Sequence, residues 1–268
     1  MPGNIMKNGI LTASFGTTYK EARRLSLEAI DQSVLYKFPR FTVYKAYTSS
    51  IVKRRIYENE EILIPGISQA LNKMLEDGIE NTYIMPTHII PGTEYHKILD
   101  TARMYNDKFN ILKISEPLLS SASDFSLTAD ILNRHYNLNG MESNSAVVFM
   151  GHGSEHAANK CYSQFQDTLN QKGFFNVFVS TVEGTPDFET SLSILRKQTF
   201  KNITLIPFMV TAGDHAHNDM AGSKEDSWKN QLKALGYNIK IITHGLGELK
   251  EIQELYLSHL NNVINNTL

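Results

Sequence analysis

The sequence predicts an α/β protein of two similar halves, residues 1–140 and 141–268, each with a mainly parallel sheet flanked by helices. Three observations carry this. Short strand-like apolar runs alternate with segments of helical periodicity along the whole chain. The run Leu205-Ile206-Pro207-Phe208-Met209-Val210 is apolar without alternation, as a strand covered on both faces must be. The order of elements in the first half then recurs in the second. Two such units facing each other would form a cleft, lined by loops at the carboxyl ends of the strands.

The elements follow in order. Residues 10–15 are a short apolar strand closed by Gly16, and Thr18 with Glu21 has the capping-box pattern of a helix start. Leu27, Ile30, Val34 and Phe38 form that helix's inner face. Residues 41–47, rich in aromatic and branched side chains, read as the second strand, and 49–58 as a short basic helix. Ile67, Ala70, Leu71, Met74 and Leu75 recur at helical spacing, with Gly78 as the stop. Strands at 82–86 and 110–114 bracket a helix over 94–105, and a helix over 124–136 closes this half. The second half repeats the scheme with strands at 146–150, 177–182, 205–210 and 239–243. Its helices fall at 157–172, at 188–197, on the face Trp228, Leu232 and Leu235, and from Leu249 onward.

The repeat extends to single residues. PTHIIPGTEYH (86–96) aligns without gaps on PFMVTAGDHAH (207–217), matching proline, glycine and the last histidine. In the same repeat Phe15-Gly16 stands where His152-Gly153 stands, and Thr48 where Glu183 stands.

Composition narrows the function. At 41% hydrophobic, 20% charged and net charge −2, the chain lacks the basic balance of a general nucleic-acid binder, with Lys53-Arg54-Arg55 a local basic patch. The single cysteine, Cys161, excludes an internal disulfide framework and suits a reducing compartment; its place in a helix suits packing. No apolar run approaches the ~20 residues that span a bilayer, and the opening residues lack a secretory pattern, so a cytoplasmic protein without membrane attachment is expected. No Walker loop, dinucleotide fingerprint or nucleophile elbow is present.

The densest chemistry lies in 205–228, LIPFMVTAGDHAHNDMAGSKEDSW, where the chain breaks at Gly213 and delivers Asp214, His215, His217, Asn218 and Asp219 in a loop. His152 in Gly151-His152-Gly153 and Glu183 likewise sit at the ends of separate strands. Neighbouring strands lie ~5 Å apart, so His152, Glu183 and His215 can reach one point. Two imidazoles and a carboxylate suit zinc, iron, nickel or cobalt, and leave coordination positions open. Each residue also has a plainer role: His152 orienting a turn, Glu183 capping the helix near Pro186, and Asp214 and Asp219 orienting imidazoles or capping helices. His217 reads as auxiliary and His88 as structural.

These residues also carry a family likeness. Ser14-Phe15-Gly16-Thr17, Pro86-Thr87-His88, Met150-Gly151-His152-Gly153, Val182-Glu183 and Ala212-Gly213-Asp214-His215-Ala216-x-Asn218-Asp219-Met220-Ala221-Gly222, with Asp226-Ser227-Trp228, resemble the anaerobic (class II) cobalt chelatases of cobalamin biosynthesis, relatives of ferrochelatase. The resemblance implies a chelatase-like fold with its active site in the cleft between the halves. It implies cobalt(II) as the inserted metal, sirohydrochlorin or precorrin-2 as the tetrapyrrole, and no ATP or nucleotide cofactor. It implies His152, Glu183 and His215 as both metal ligands and catalytic groups. A homo-oligomer is compatible with it. Arg23, Arg24, Lys53, Arg54 and Arg55 are candidate contacts for the carboxylates of such a substrate, or simply a solvated helix face. An iron chelatase making sirohaem or haem, and a non-catalytic metal or tetrapyrrole carrier, are the alternatives.

Overall fold

A computed structural model describes residues 7–267. The opening residues 1–6, part of the stretch read as lacking a secretory pattern, lie outside the described residues. The chain forms two compact units: the residues up to Leu118 together with those from Gln253, and Leu119–Ile252.

The first unit is built on β1 (Asn8–Ser14), β2 (Thr42–Tyr47), β3 (Asn81–Pro86) and β4 (Ile111–Ile114), in the order β2-β1-β3-β4 with every pair parallel. Between β1 and β2 run α1 (Lys20–Ala22), a π-helical segment (Arg23–Glu28) and α2 (Ala29–Lys37). The capping box expected of Thr18 and Glu21 does not form: Tyr19 is the N-cap without a side-chain bond, and Glu21 instead accepts from Arg24. The predicted inner face survives the π segment, with Leu27, Ile30, Val34 and Phe38 all buried. Three helices follow, α3 (Ser50–Glu60), α4 (Ile67–Glu76) and α5 (Thr93–Arg103). Ile67, Ala70, Leu71 and Met74 of α4 join Ile98 and Ala102 of α5 against Leu11, Ala13, Ala46 and Ile84 of the sheet. Burial of each large apolar side chain in such a layer stabilises by about 1.5–3 kcal/mol.

The second unit begins with α6 (Ala122–Tyr136), then β5 (Ser145–Gly153), α7 (Lys160–Gln171), β6 (Val177–Glu183), α8 (Phe188–Leu195), β7 (Asn202–Phe208), α9 (Trp228–Ala234) and β8 (Asn238–Ile241). Its order, β6-β5-β7-β8, is again parallel throughout. Both faces of β5 are covered, which accounts for its unbroken apolar run: Ala146, Val148 and Met150 face Phe188, Leu192, Met220, Trp228 and Leu232, while Phe149 meets Phe208 on the other side. Leu235, expected on the α9 face, is exposed at the helix C-cap instead.

The units differ from halves drawn at residue 140. Helix α6 packs on α7, and Cys161 of α7 lies buried near the Leu119 carbonyl. The final helix α10 (Lys250–Asn265) crosses into the first unit, where the hydroxyl of Tyr256 reaches the carbonyls of Thr87 and His88. Among the described residues no helix is long and apolar enough to cross a membrane.

Register tests the internal repeat. Ala13 pairs with Pro86 and Met150 with Pro207, so the two aligned prolines hold the same place in their sheets. Counting on, Phe15 matches His152 and Gly16 matches Gly153, as the repeat requires. The other equivalence shifts by one residue. Ser14 pairs with Tyr47 and Gly151 with Thr181, so Glu183 corresponds to Ser49 rather than Thr48.

Candidate metal centre

His152, Glu183 and His215 each offer a ligand atom, and these atoms all lie within 4.8 Å of one another. The two rings stand nearly perpendicular, at 89°, with centroids 4.8 Å apart. All three side chains are open to solvent in part, Glu183 most of all.

The position of His152 follows from its flanking glycines. Rather than lying in a loop, it is the penultimate residue of β5, which continues through Gly153 to pair with Glu183 of β6. A Cβ on Gly151 would sit 2.4 Å from the ring of Tyr162, so no other residue fits there. Tyr162 is buried in α7, its hydroxyl accepts a long 3.4 Å bond from the Gly153 N–H, and burial raises its pKa to about 12. His152 Nδ1 lies 3.0 Å from the Gly153 carbonyl oxygen and 3.9 Å from Glu183 Oε2. Glu183 ends β6 and caps nothing: the N-cap of α8 is Asp187, which accepts from the Thr190 N–H at 2.8 Å.

His215 comes from a segment that folds as a helical turn and not as the expected loop. After Gly213 the chain turns helical at Asp214 and His215 and continues as a π-helix over Ala216–Met220. The Ala221 N–H closes it on the Ala216 carbonyl, five residues back. Ala212, Ala216 and Met220, spaced by four, are buried against the sheet and anchor the turn. The next face carries His215 and Asp219, also four apart, with Nδ1 to Oδ2 at 2.5 Å. Asp214 accepts from the Asn218 amide at 2.9 Å, and His217 Nδ1 lies 2.9 Å from the Gly213 carbonyl, pointing away into solvent exposure. Of the two acids, Asp219 contacts the His215 ring and Asp214 bonds within the turn.

The remaining predicted residues lie in the first unit. Arg23 is buried and paired with Glu60, Arg24 bonds Glu21, and Arg54 lies 3.7 Å from Glu58. Arg23 is therefore no surface anion contact. Lys53 borders an open groove with Thr48, Gly66, Ser68 and Lys97. His88 has both ring nitrogens buried without a hydrogen-bond partner, as has Oε2 of Glu94 in the first turn of α5. These buried polar atoms gave little signal in the sequence, since a lone histidine after a strand does not report its burial.

The second sheet, flanked by helices, carries an open imidazole–carboxylate trio at the carboxyl ends of its strands. The fold recurs in SirB from Bacillus subtilis with Fe3+, at TM-score 0.67 and 14% identity over 98% of this chain and 97% of that one. It recurs also in the sirohydrochlorin chelatase SirB from Bacillus subtilis subspecies spizizenii in complex with cobalt, at TM-score 0.64 and 12% identity over 97% of each chain. Sequence goes further than fold. Residues 8–265 match the family model described as cobalt chelatase (CbiK), and the chain belongs to that family. It is 32% identical over 260 residues, 97% of each chain, to the sirohydrochlorin cobaltochelatase of Salmonella typhimurium.

Proposed function

We propose that this enzyme inserts cobalt(II) into sirohydrochlorin, or its close relative precorrin-2, without ATP, in cobalamin biosynthesis. The observation that carries the reading is the convergence of His152, Glu183 and His215 in a chain of the cobalt chelatase family. In this reading the three residues hold the incoming cation through two neutral nitrogens and one carboxylate oxygen, a donor set that binds divalent metals yet leaves positions free for ring nitrogens. Insertion exchanges those bonds for four nitrogens of the macrocycle and releases two protons from its N–H groups. Glu183, the most exposed of the three, is suited to accept a proton as the cation leaves it. In this reading chelation by four nitrogens drives the exchange, and no nucleotide takes part. The cytoplasm is the proposed compartment, in keeping with a lone cysteine that is buried.

The test is incubation of the purified chain with sirohydrochlorin and each of cobalt(II), iron(II) and nickel(II), without nucleotide, while visible spectra are recorded. Conversion with cobalt in excess of iron supports the reading. Preference for iron would make it a sirohaem-forming chelatase, and an unchanged free-base spectrum with every metal would make it a carrier.

A further inference from the structure

We infer that Asp219 is the positioning residue of this centre, holding His215 as its Nδ1–H tautomer and thereby presenting Nε2 to the cation. The inference rests on the proposed role of His215 as a ligand. Asp219 Oδ2 lies 2.5 Å from His215 Nδ1. A neutral imidazole carries one N–H, and a carboxylate accepts but cannot donate, so the proton of that bond belongs to Nδ1 and the lone pair to Nε2. A full negative charge behind the ring also makes Nε2 a stronger donor.

The arrangement is built into the backbone. His215 and Asp219 share one face of a turn whose opposite face, Ala212, Ala216 and Met220, is buried in the core. The anchored backbone thus keeps His215 and Asp219 four residues apart on one face, within reach of each other. Asp214, the other acid of the segment, bonds Asn218 and closes the turn on itself. The two acids of one short motif therefore bond different partners, and Asp219 is the one that meets the His215 ring.

The experiment compares the unaltered protein with Asp219→Ala, Asp219→Asn, Asp219→Glu and His215→Ala. Cobalt(II) is titrated alone, followed by its visible absorption. Insertion is measured against cobalt concentration, and nitrogen-15 spectra of the metal-free protein near pH 8 report the His215 tautomer. The expected result is an Nδ1–H tautomer in the unaltered protein and cobalt binding weaker by about 10–100-fold in the Ala and Asn variants. KM for cobalt should rise by a larger factor than kcat falls, with partial recovery in the Glu variant. Unchanged cobalt affinity in both the Ala and Asn variants, or an Nε2–H tautomer in the unaltered protein, would overturn the inference. His215→Ala separates the two levels. If it loses cobalt while the Asp219 variants keep it, the role of Asp219 alone fails; if it binds cobalt normally, the ligand role of His215 fails first.

Discussion

A methyl carbon on Gly153 would lie 1.4 Å from the carbonyl oxygen of Glu183, its partner in the β5–β6 ladder. Gly153 also has φ +85°, a conformation that L side chains rarely adopt. The two strands that present His152 and Glu183 thus meet at a point where only glycine fits. Gly153→Ala should force them apart, destabilising the second unit by about 1–3 kcal/mol and lowering insertion at least tenfold. Trp228, the one tryptophan, stacks on Phe188 in the same unit at 4.1 Å, so its fluorescence follows the unfolding of that unit. A variant with an unchanged midpoint and full activity would show that the ladder relaxes without cost.

The two histidines of the π-helical turn should separate cleanly. His215→Ala removes a member of the trio and should abolish insertion while leaving the melting temperature nearly unchanged, because the side chain is no part of the apolar core. His217→Ala touches an exposed ring bonded to the Gly213 carbonyl and should keep most of the activity. Insertion rates and thermal melts of both variants check this; an inactive but folded His217→Ala beside an active His215→Ala would reverse the assignment.

His88 should make the first unit acid-sensitive. Burial lowers its pKa from 6.5 to about 4, with the charge of Glu94 acting weakly the other way. Between those values the unfolded chain binds a proton that the folded chain refuses. Stability is therefore full above pH 6.5 and falls as pH drops toward 4, by up to about 1.4 kcal/mol per unit. Denaturant titrations from pH 4.5 to 7.5, followed by circular dichroism, should show this slope flattened in His88→Leu. Parallel slopes would assign the acid sensitivity to other groups.

Arg23 and Glu60 test whether a basic residue that looked available to a substrate is structural. Arg23 is 5% exposed, and its guanidinium holds the Glu60 carboxyl below the usual carboxylate range through their hydrogen bond. Glu60→Gln would leave the Arg23 charge buried without its counter-charge. Because the pair reaches solvent on the Glu60 side, the expected cost is about 2–3 kcal/mol, below that of a fully buried pair. The same variant should leave KM for the tetrapyrrole unchanged. A raised KM with unchanged stability would return Arg23 to the substrate.

Much of this was legible in the sequence for a physical reason. Strands covered on both faces carry unbroken apolar runs, so β5 and β7 announce themselves, and residues at their carboxyl ends, His152 among them, fall where ligands gather. Long-range arrangement was less legible. Gly213 and the cluster of polar residues after it masked the spacing of Ala212, Ala216 and Met220, so a helical turn read as a loop. Thr18 and Glu21 had the residue types of a capping box, but the helix starts a residue later and Glu21 is drawn to Arg24. The shift from Thr48 to Ser49 as the counterpart of Glu183 depends on ladder register, which no residue of β2 marks. Tyr256, arriving from the far end of the chain, contacts the His88 carbonyl, and no local pattern around His88 marks it.

That late arrival bears on how the polypeptide is made. Residues 119–252 are continuous, whereas the first unit is complete only when the residues from Gln253 have been added. On the ribosome, where domains fold as they emerge, the sheet carrying His152 can finish while the sheet synthesised before it still lacks its last helix. Order of synthesis and order of completion then run in opposite directions. A polypeptide stopped after Ile252 should resist protease across 119–252 and be cut readily before Leu118, and the reverse pattern would show that the first sheet closes without α10.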